Sequence, residues 1–215
     1  MSSIRLSTVK SKTSVEGPGV RYAIWVQGCP IHCKGCFNQH TWNFKGGYES
    51  KVDELWLDIK RMKNEHPEIE GVTFLGGEPF EQALALAELA ERVRAYGLGI
   101  MTFTGYEYSQ ILKSPRKDWS RLLDLTDLLI DGPYIENQHD LSRPWVGSKN
   151  QQYRFLTDRY QDYEAKLHHI MNKLEIRLYP DGKISANGMA GLLDLKMLES
   201  LIERSDITVK KEGES

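Results

Sequence analysis

All three cysteines of this 215-residue chain fall within one stretch of eight residues, Cys29-Pro-Ile-His-Cys33-Lys-Gly-Cys36. An odd number of thiols in one loop cannot form a fully paired intramolecular disulfide framework. The fold must therefore rest on a hydrophobic core, and 40% hydrophobic residues are enough to build one. The clustering also points to metal chemistry, because structural cysteines scatter among core segments.

The segments around this loop alternate in character. Residues 21–27 (RYAIWVQ) form a β-prone run that stops at Gly28. Residues 51–63 carry Val52, Leu55, Trp56, Ile59 and Met62 at helical spacing. Residues 71–75 (GVTFL) read as a buried strand, broken by Gly76, Gly77, Glu78 and Pro79. Residues 80–96 read as a helix with Phe80, Ala83, Leu84, Ala87 and Val93 on one side. Apolar strands follow at 100–103 and 126–131. Strand and helix in alternation predict an α/β fold with a parallel sheet. The cysteine loop and the turns at 76–79, 104–106 and 131–132 then converge where ligands gather, at the carboxyl ends of the strands.

After residue 155 the pattern changes. Residues 158–173 are polar and read as a helix. Residues 174–179 and 183–187 flank Pro180-Asp181-Gly182 as a β-hairpin. Residues 191–204 read as a closing helix before a charged tail. The expected division is a core domain over 1–157 and a C-terminal α+β appendage over 158–215. The net charge of −2 gives no sign of nucleic-acid or membrane-surface binding. No apolar run approaches the roughly 20 residues of a membrane-spanning helix. The first twelve residues lack the apolar centre of a signal peptide, so the expected location is cytoplasmic.

Three thiolates can bind three irons of a cubane and leave the fourth open. That vacancy suits chelation by the amino and carboxylate groups of a methionine moiety. An electron entering the adjacent sulfonium would break its carbon–sulfur bond and yield a 5′-deoxyadenosyl radical. The competing reading is a structural zinc site, with His32 or His40 as fourth ligand. A complete ferredoxin-type cluster would need a fourth cysteine, which is absent.

The stretches Gly17-Pro-Gly-Val-Arg21, Gly28 through Asn38 and Thr41-Trp42 closely resemble the radical S-adenosylmethionine (SAM) activating enzymes of glycyl radical enzymes. Gly76-Gly-Glu-Pro79, Thr104-Gly-Tyr106, Asp131-Gly132 and Trp145-Val-Gly-Ser-Lys-Asn-Gln151 agree in order. Within the family, the match is best with activators of anaerobic ribonucleoside-triphosphate reductase. Gly35 stands where most superfamily members carry an aromatic, as in this subgroup, which has an aromatic after the third cysteine instead, here Phe37.

The resemblance implies a partial (β/α) barrel, a [4Fe–4S] cluster on Cys29, Cys33 and Cys36, and bound SAM. It implies SAM contacts at Gly76, Gly77, Glu78, Phe37, Asn38 and Thr104. Its implied partners are a glycyl radical enzyme, and flavodoxin or ferredoxin as electron donor. Each residue also has a plainer role: Glu78 and Asp131 in turns, Arg21 in a salt bridge, Asn38 capping backbone. Gly17–Gly19 is expected near the mouth, or as a simple turn. Ser148, Asn150 and Gln151 suit a site or a loop-ordering role. His168 and His169 read as solvated, and Trp25, Trp42 and Trp56 as packing residues. The appendage leaves room for a second reading, a radical SAM enzyme that tailors a peptide or small molecule.

Overall fold

The computed structural model describes residues 2–179 and 184–189. Its centre is a seven-stranded mixed sheet: β1 (Ser3–Thr13), β2 (Val20–Val26), β3 (Tyr48–Lys51), β4 (Ile69–Gly76), β5 (Gly99–Phe103), β6 (Leu128–Asp131) and β7 (Gln152–Phe155), in the order β3-β1-β2-β4-β5-β6-β7. The four central strands β2, β4, β5 and β6 run parallel. The edges β3, β1 and β7 are antiparallel to their neighbours. The parallel α/β expectation therefore holds for the centre of the sheet and not for its edges.

Helices α1 (Val52–Glu65), α2 (Ala83–Ala95) and α4 (Lys117–Leu125) bury their apolar sides against one face. Tyr22, Ile24, Phe74, Ile100 and Leu129 point into that core, and a short helix α3 (Tyr108–Lys113) adds Ile111. β2, β4 and β6 are buried along most of their length and read as near-continuous apolar runs, which is why they are legible in the sequence. β1 is not: it is polar along SIRLSTVKSKT, with Ile4 and Leu6 buried in the helix-side core and Val9 packed against it.

Two helix expectations need correction. The helix expected over 80–96 begins with a 3₁₀ turn, Pro79–Gln82, because Glu78 caps that turn and Pro79 fits its first position. Leu84 does not join the apolar side and is 61% exposed, while Leu86 and Leu89 are buried. Residues 158–173 are not one α-helix but 3₁₀ turns over Asp158–His169, which carry a single buried side chain, Tyr160. His168 and His169 are exposed. The expected hairpin forms as β8 (Leu174–Leu178) against β9 (Ile184–Gly188). Its turn and the closing helix at 191–204 lie outside the described residues.

The other face of the sheet carries Arg21, Ala23 and Trp25, then Thr73 and Leu75, then Met101 and Phe103. Arg21 is fully buried and forms no ion pair among the described residues. Its guanidinium instead donates to Thr73 Oγ1 (3.0 Å), the Val72 carbonyl (2.6 Å), the Gly99 carbonyl (3.4 Å) and the Tyr160 hydroxyl. Arg21 thus seals the amino-terminal end of the strands, and the 158–169 segment is pinned there through Tyr160. No helix among the described residues is long and apolar enough to cross a membrane.

Candidate cluster and cofactor site

The cysteine loop begins where β2 ends and closes on itself. Gly28 N–H donates to the Thr41 carbonyl (2.7 Å) and Cys29 N–H to the Trp42 carbonyl (3.1 Å). The Gln27 amide donates to the carbonyls of His40 and Asn43, tying down both sides of the closure. Thr41 and Trp42 are therefore the staple of the loop. Within it, Asn38 N–H points to Cys36 Sγ at 3.4 Å, and the Asn38 carbonyl accepts from Thr41 N–H and Oγ1. All three thiols are free. Burial pushes the Cys29 and Cys33 thiols up. Loading a metal group on these ligands must then release protons.

The next strand brings the glycine turn to the same place. Gly77 N–H donates to the Val26 carbonyl (2.8 Å) and Glu78 N–H to the Gly28 carbonyl (2.9 Å). A Cβ on Gly77 would stand 2.4 Å from the Gly28 carbonyl oxygen. Gly76 has φ +107°, and a Cβ there would lie 2.7 Å from the Trp25 backbone. The glycines thus serve close packing of turn on cysteine loop, in addition to the open backbone expected from the sequence.

Glu78 is 1% exposed. Its Oε1 accepts from Phe80 N–H (2.9 Å) and Thr104 Oγ1 (2.9 Å), and its Oε2 from Gly105 N–H (2.8 Å). Desolvation raises its pKa to about 7, against the opposing pull of those donors. Glu78 therefore clamps the β4 and β5 turns together. Thr104 spends its hydroxyl proton on Glu78 and accepts from Tyr106 N–H. Asp131 holds Tyr108 N–H and the Arg154 guanidinium at the end of β6. In the loop before β7, Ser148 donates to Asn150 (2.7 Å), Asn150 to the Pro133 carbonyl (2.7 Å) and Gln151 to the Gly132 carbonyl (3.2 Å). That is loop ordering, and Gln151 also faces the cleft.

A cleft of about 560 Å³ joins these parts. The cysteines, Phe37, Asn38, the 76–78 turn and Thr104 border one end of it. Trp25, Leu75 and Phe103 form its apolar floor. Phe37 is half exposed and meets the edge of Tyr134. Gly17–Gly19 does not lie at this end. It joins β1 to β2 at the amino-terminal ends of the parallel strands, and only the preceding Val15 and Glu16 face the cleft. Lys10, Glu16, Trp145 and the hairpin residues were not expected in the cleft. The Trp lay within a quoted motif, whereas the lysine and the hairpin carried no local signal.

Three free thiols on one loop, all bordering the same end of the cleft, suit a cluster held there. His32 stacks on Trp42, centroids 4.6 Å apart, rather than completing a tetrahedron. The Trp42 indole N–H is buried without an acceptor among the described residues, beside the loop that would hold the cluster sulfides. A buried donor at that position suits a sulfur-rich neighbour.

The sequence matches the 4Fe-4S single cluster domain family over residues 15–154, and the chain belongs to that family. It is 34% identical over 146 residues to the anaerobic ribonucleoside-triphosphate reductase-activating protein of Vibrio cholerae serotype O1, covering 64% of this chain and 88% of that protein. The protein of the same name from Escherichia coli K12 is 30% identical over 146 residues, covering 64% and 89%. The pyruvate formate-lyase-activating enzyme of Clostridium pasteurianum is 32% identical over 139 residues, covering 62% and 54%. The chain is a radical SAM enzyme of the glycyl radical activase type, working with a [4Fe–4S] cluster and SAM. The zinc-module reading is overturned by this match.

Proposed function

We propose that this chain installs a glycyl radical on an anaerobic ribonucleoside-triphosphate reductase, with flavodoxin or ferredoxin as electron donor. Cys29, Cys33 and Cys36 are the proposed ligands of three irons, leaving the fourth open. Gly76, Gly77, Glu78, Phe37, Asn38 and Thr104 are the proposed SAM contacts. A reduced cluster held there would supply the electron for cleaving SAM, and the adenosyl group so released would accept a hydrogen atom from a glycine Cα.

The chain's own residues have three tasks in this reading. The Thr41–Trp42 staple holds the cysteines at one end of the cleft. The 76–78 turn, bonded to Val26 and Gly28, keeps the cofactor wall in register with that loop. Trp25, Leu75 and Phe103 keep the floor apolar, which excludes water from a reactive species. The observation that carries the proposal is the opening of the cysteine loop and the 76–78 turn into one cleft. In the same reading the sheet and its helices are a partial (β/α) barrel over 1–157, the appendage spans 158–215, and the enzyme works in the cytoplasm.

The test is anaerobic reconstitution followed by incubation with SAM, dithionite and the reductase. A glycyl radical seen by electron paramagnetic resonance is the expected result. SAM cleavage with no such signal refutes the activase role. Replacing any of the three cysteines by serine is expected to abolish both the visible cluster absorbance and SAM cleavage.

A further inference from the structure

The far end of the cleft is built by residues that the activase reading leaves without a task. There the β8–β9 hairpin lies across the open face of the sheet and is held on two sides. On one side Glu175 accepts from Thr13 Oγ1 (3.3 Å) and Ser14 N–H (3.4 Å), and Arg177 donates to the Lys12 carbonyl. On the other, Asn172 donates to the carbonyls of Leu141 and Arg143 and accepts from Trp145 N–H. The hairpin lies beyond residue 154, where the family match ends.

Asn187 projects from β9 into this wall and is 9% exposed. Its Nδ2 donates to Thr13 Oγ1 (3.0 Å) and Glu16 Oε1 (3.1 Å). Its Oδ1 is buried, with no donor among the described residues. Lys10, also 9% exposed, borders the same cleft. A native fold rarely leaves a buried acceptor idle unless a ligand completes it. SAM belongs at the cysteine end, so this end serves the second reactant. A peptide unit offers an N–H, the complement of an amide oxygen without a donor.

We propose that the β8–β9 hairpin is the recognition wall of the cleft, and that Asn187 Oδ1 receives a backbone N–H of the polypeptide carrying the hydrogen-donating glycine. Asn187 Nδ2 holds the Glu16 carboxyl at the same time, so Asn187 positions the wall as well as the guest. The inference rests on the activase reading and adds a residue from outside the family match.

The probe is a labelled peptide spanning the radical glycine of the host's anaerobic reductase, with versions N-methylated at one backbone amide each. Binding to the cluster-loaded, SAM-bound protein is followed by fluorescence anisotropy. One N-methylation is expected to weaken binding about tenfold, the loss of one hydrogen bond to a buried acceptor. In Asn187→Ala the parent peptide should weaken by a similar factor, and that N-methylation should then cost nothing more. An N-methylation penalty of equal size in both proteins overturns the proposal. If Asn187→Ala folds poorly, the wild-type series decides alone, because equal binding of every N-methylated peptide also overturns it. The activase reading is read separately, from the glycyl radical on the intact reductase. A radical without Asn187 coupling sinks only this inference, whereas no radical sinks both.

Discussion

Two buried carboxyls sit at opposite ends of the cleft and behave differently for reasons visible atom by atom. Glu78 meets three donors, and none of them is a charged group. A glutamine there can offer only one acceptor oxygen, so at least one donor is orphaned. Glu78→Gln is expected to cost about 1–3 kcal/mol of stability, read from denaturant midpoints. Glu16 is held by Asn187, but desolvation dominates and raises its pKa from 4.5 to about 7. Between those values the folded chain keeps a proton that the unfolded chain releases, so this group lowers stability as pH rises through the window. Glu16→Gln removes that dependence. Relative to wild type, the variant should gain up to about 3 kcal/mol between about pH 5 and about pH 8.

At the scale of elements, the decisive junction is the end of β4 against the end of β2. The turn after β4 can approach the cysteine loop only because Gly77 has no side chain. Gly77→Ala forces the Gly28 carbonyl away, an overpacking cost of about 1–3 kcal/mol. SAM affinity, measured by titration of the cluster-loaded protein, should fall with it. The elements flanking this junction were legible in the sequence. β2, β4, β5 and β6 are apolar runs ended by Gly or a polar turn, and α1 shows its period through Val52, Leu55, Ile59 and Met62. β3 and β7 were not legible, because four-residue edge strands of mixed polarity owe their state to the neighbour they pair with. Leu84 misled because alanine-rich α2 has a weakly marked apolar face, and small residues bury on several sides.

For the whole molecule, the β8–β9 hairpin borders the cleft opposite the cysteine loop. The hairpin reaches β1 through Glu175 and Arg177, and Asn172 just ahead of β8 reaches the loop before β7. Truncation after Lys173 should open the cleft and uncouple it. The ratio of 5′-deoxyadenosine formed to glycyl radical formed is expected to rise, as counted by chromatography and spin quantitation. An unchanged ratio would mean that the appendage has no part in coupling.

The amino-acid sequence by itself determined the chemistry. Ligand spacing in the cysteine loop, the glycine turn and the strand-to-loop order are local properties, readable within a few residues of one another. The second end of the cleft came only from the tertiary structure. Glu16 and Asn187 are 171 positions apart, and Lys10 lies on a strand whose polar sequence hides it. Which face of a sheet is covered by helices, and which is left for a hairpin to cross, is set by long-range packing. No pattern within a single segment encodes it. Nor does an asparagine reveal in sequence whether its oxygen is satisfied, because that depends on every donor the finished fold brings within reach.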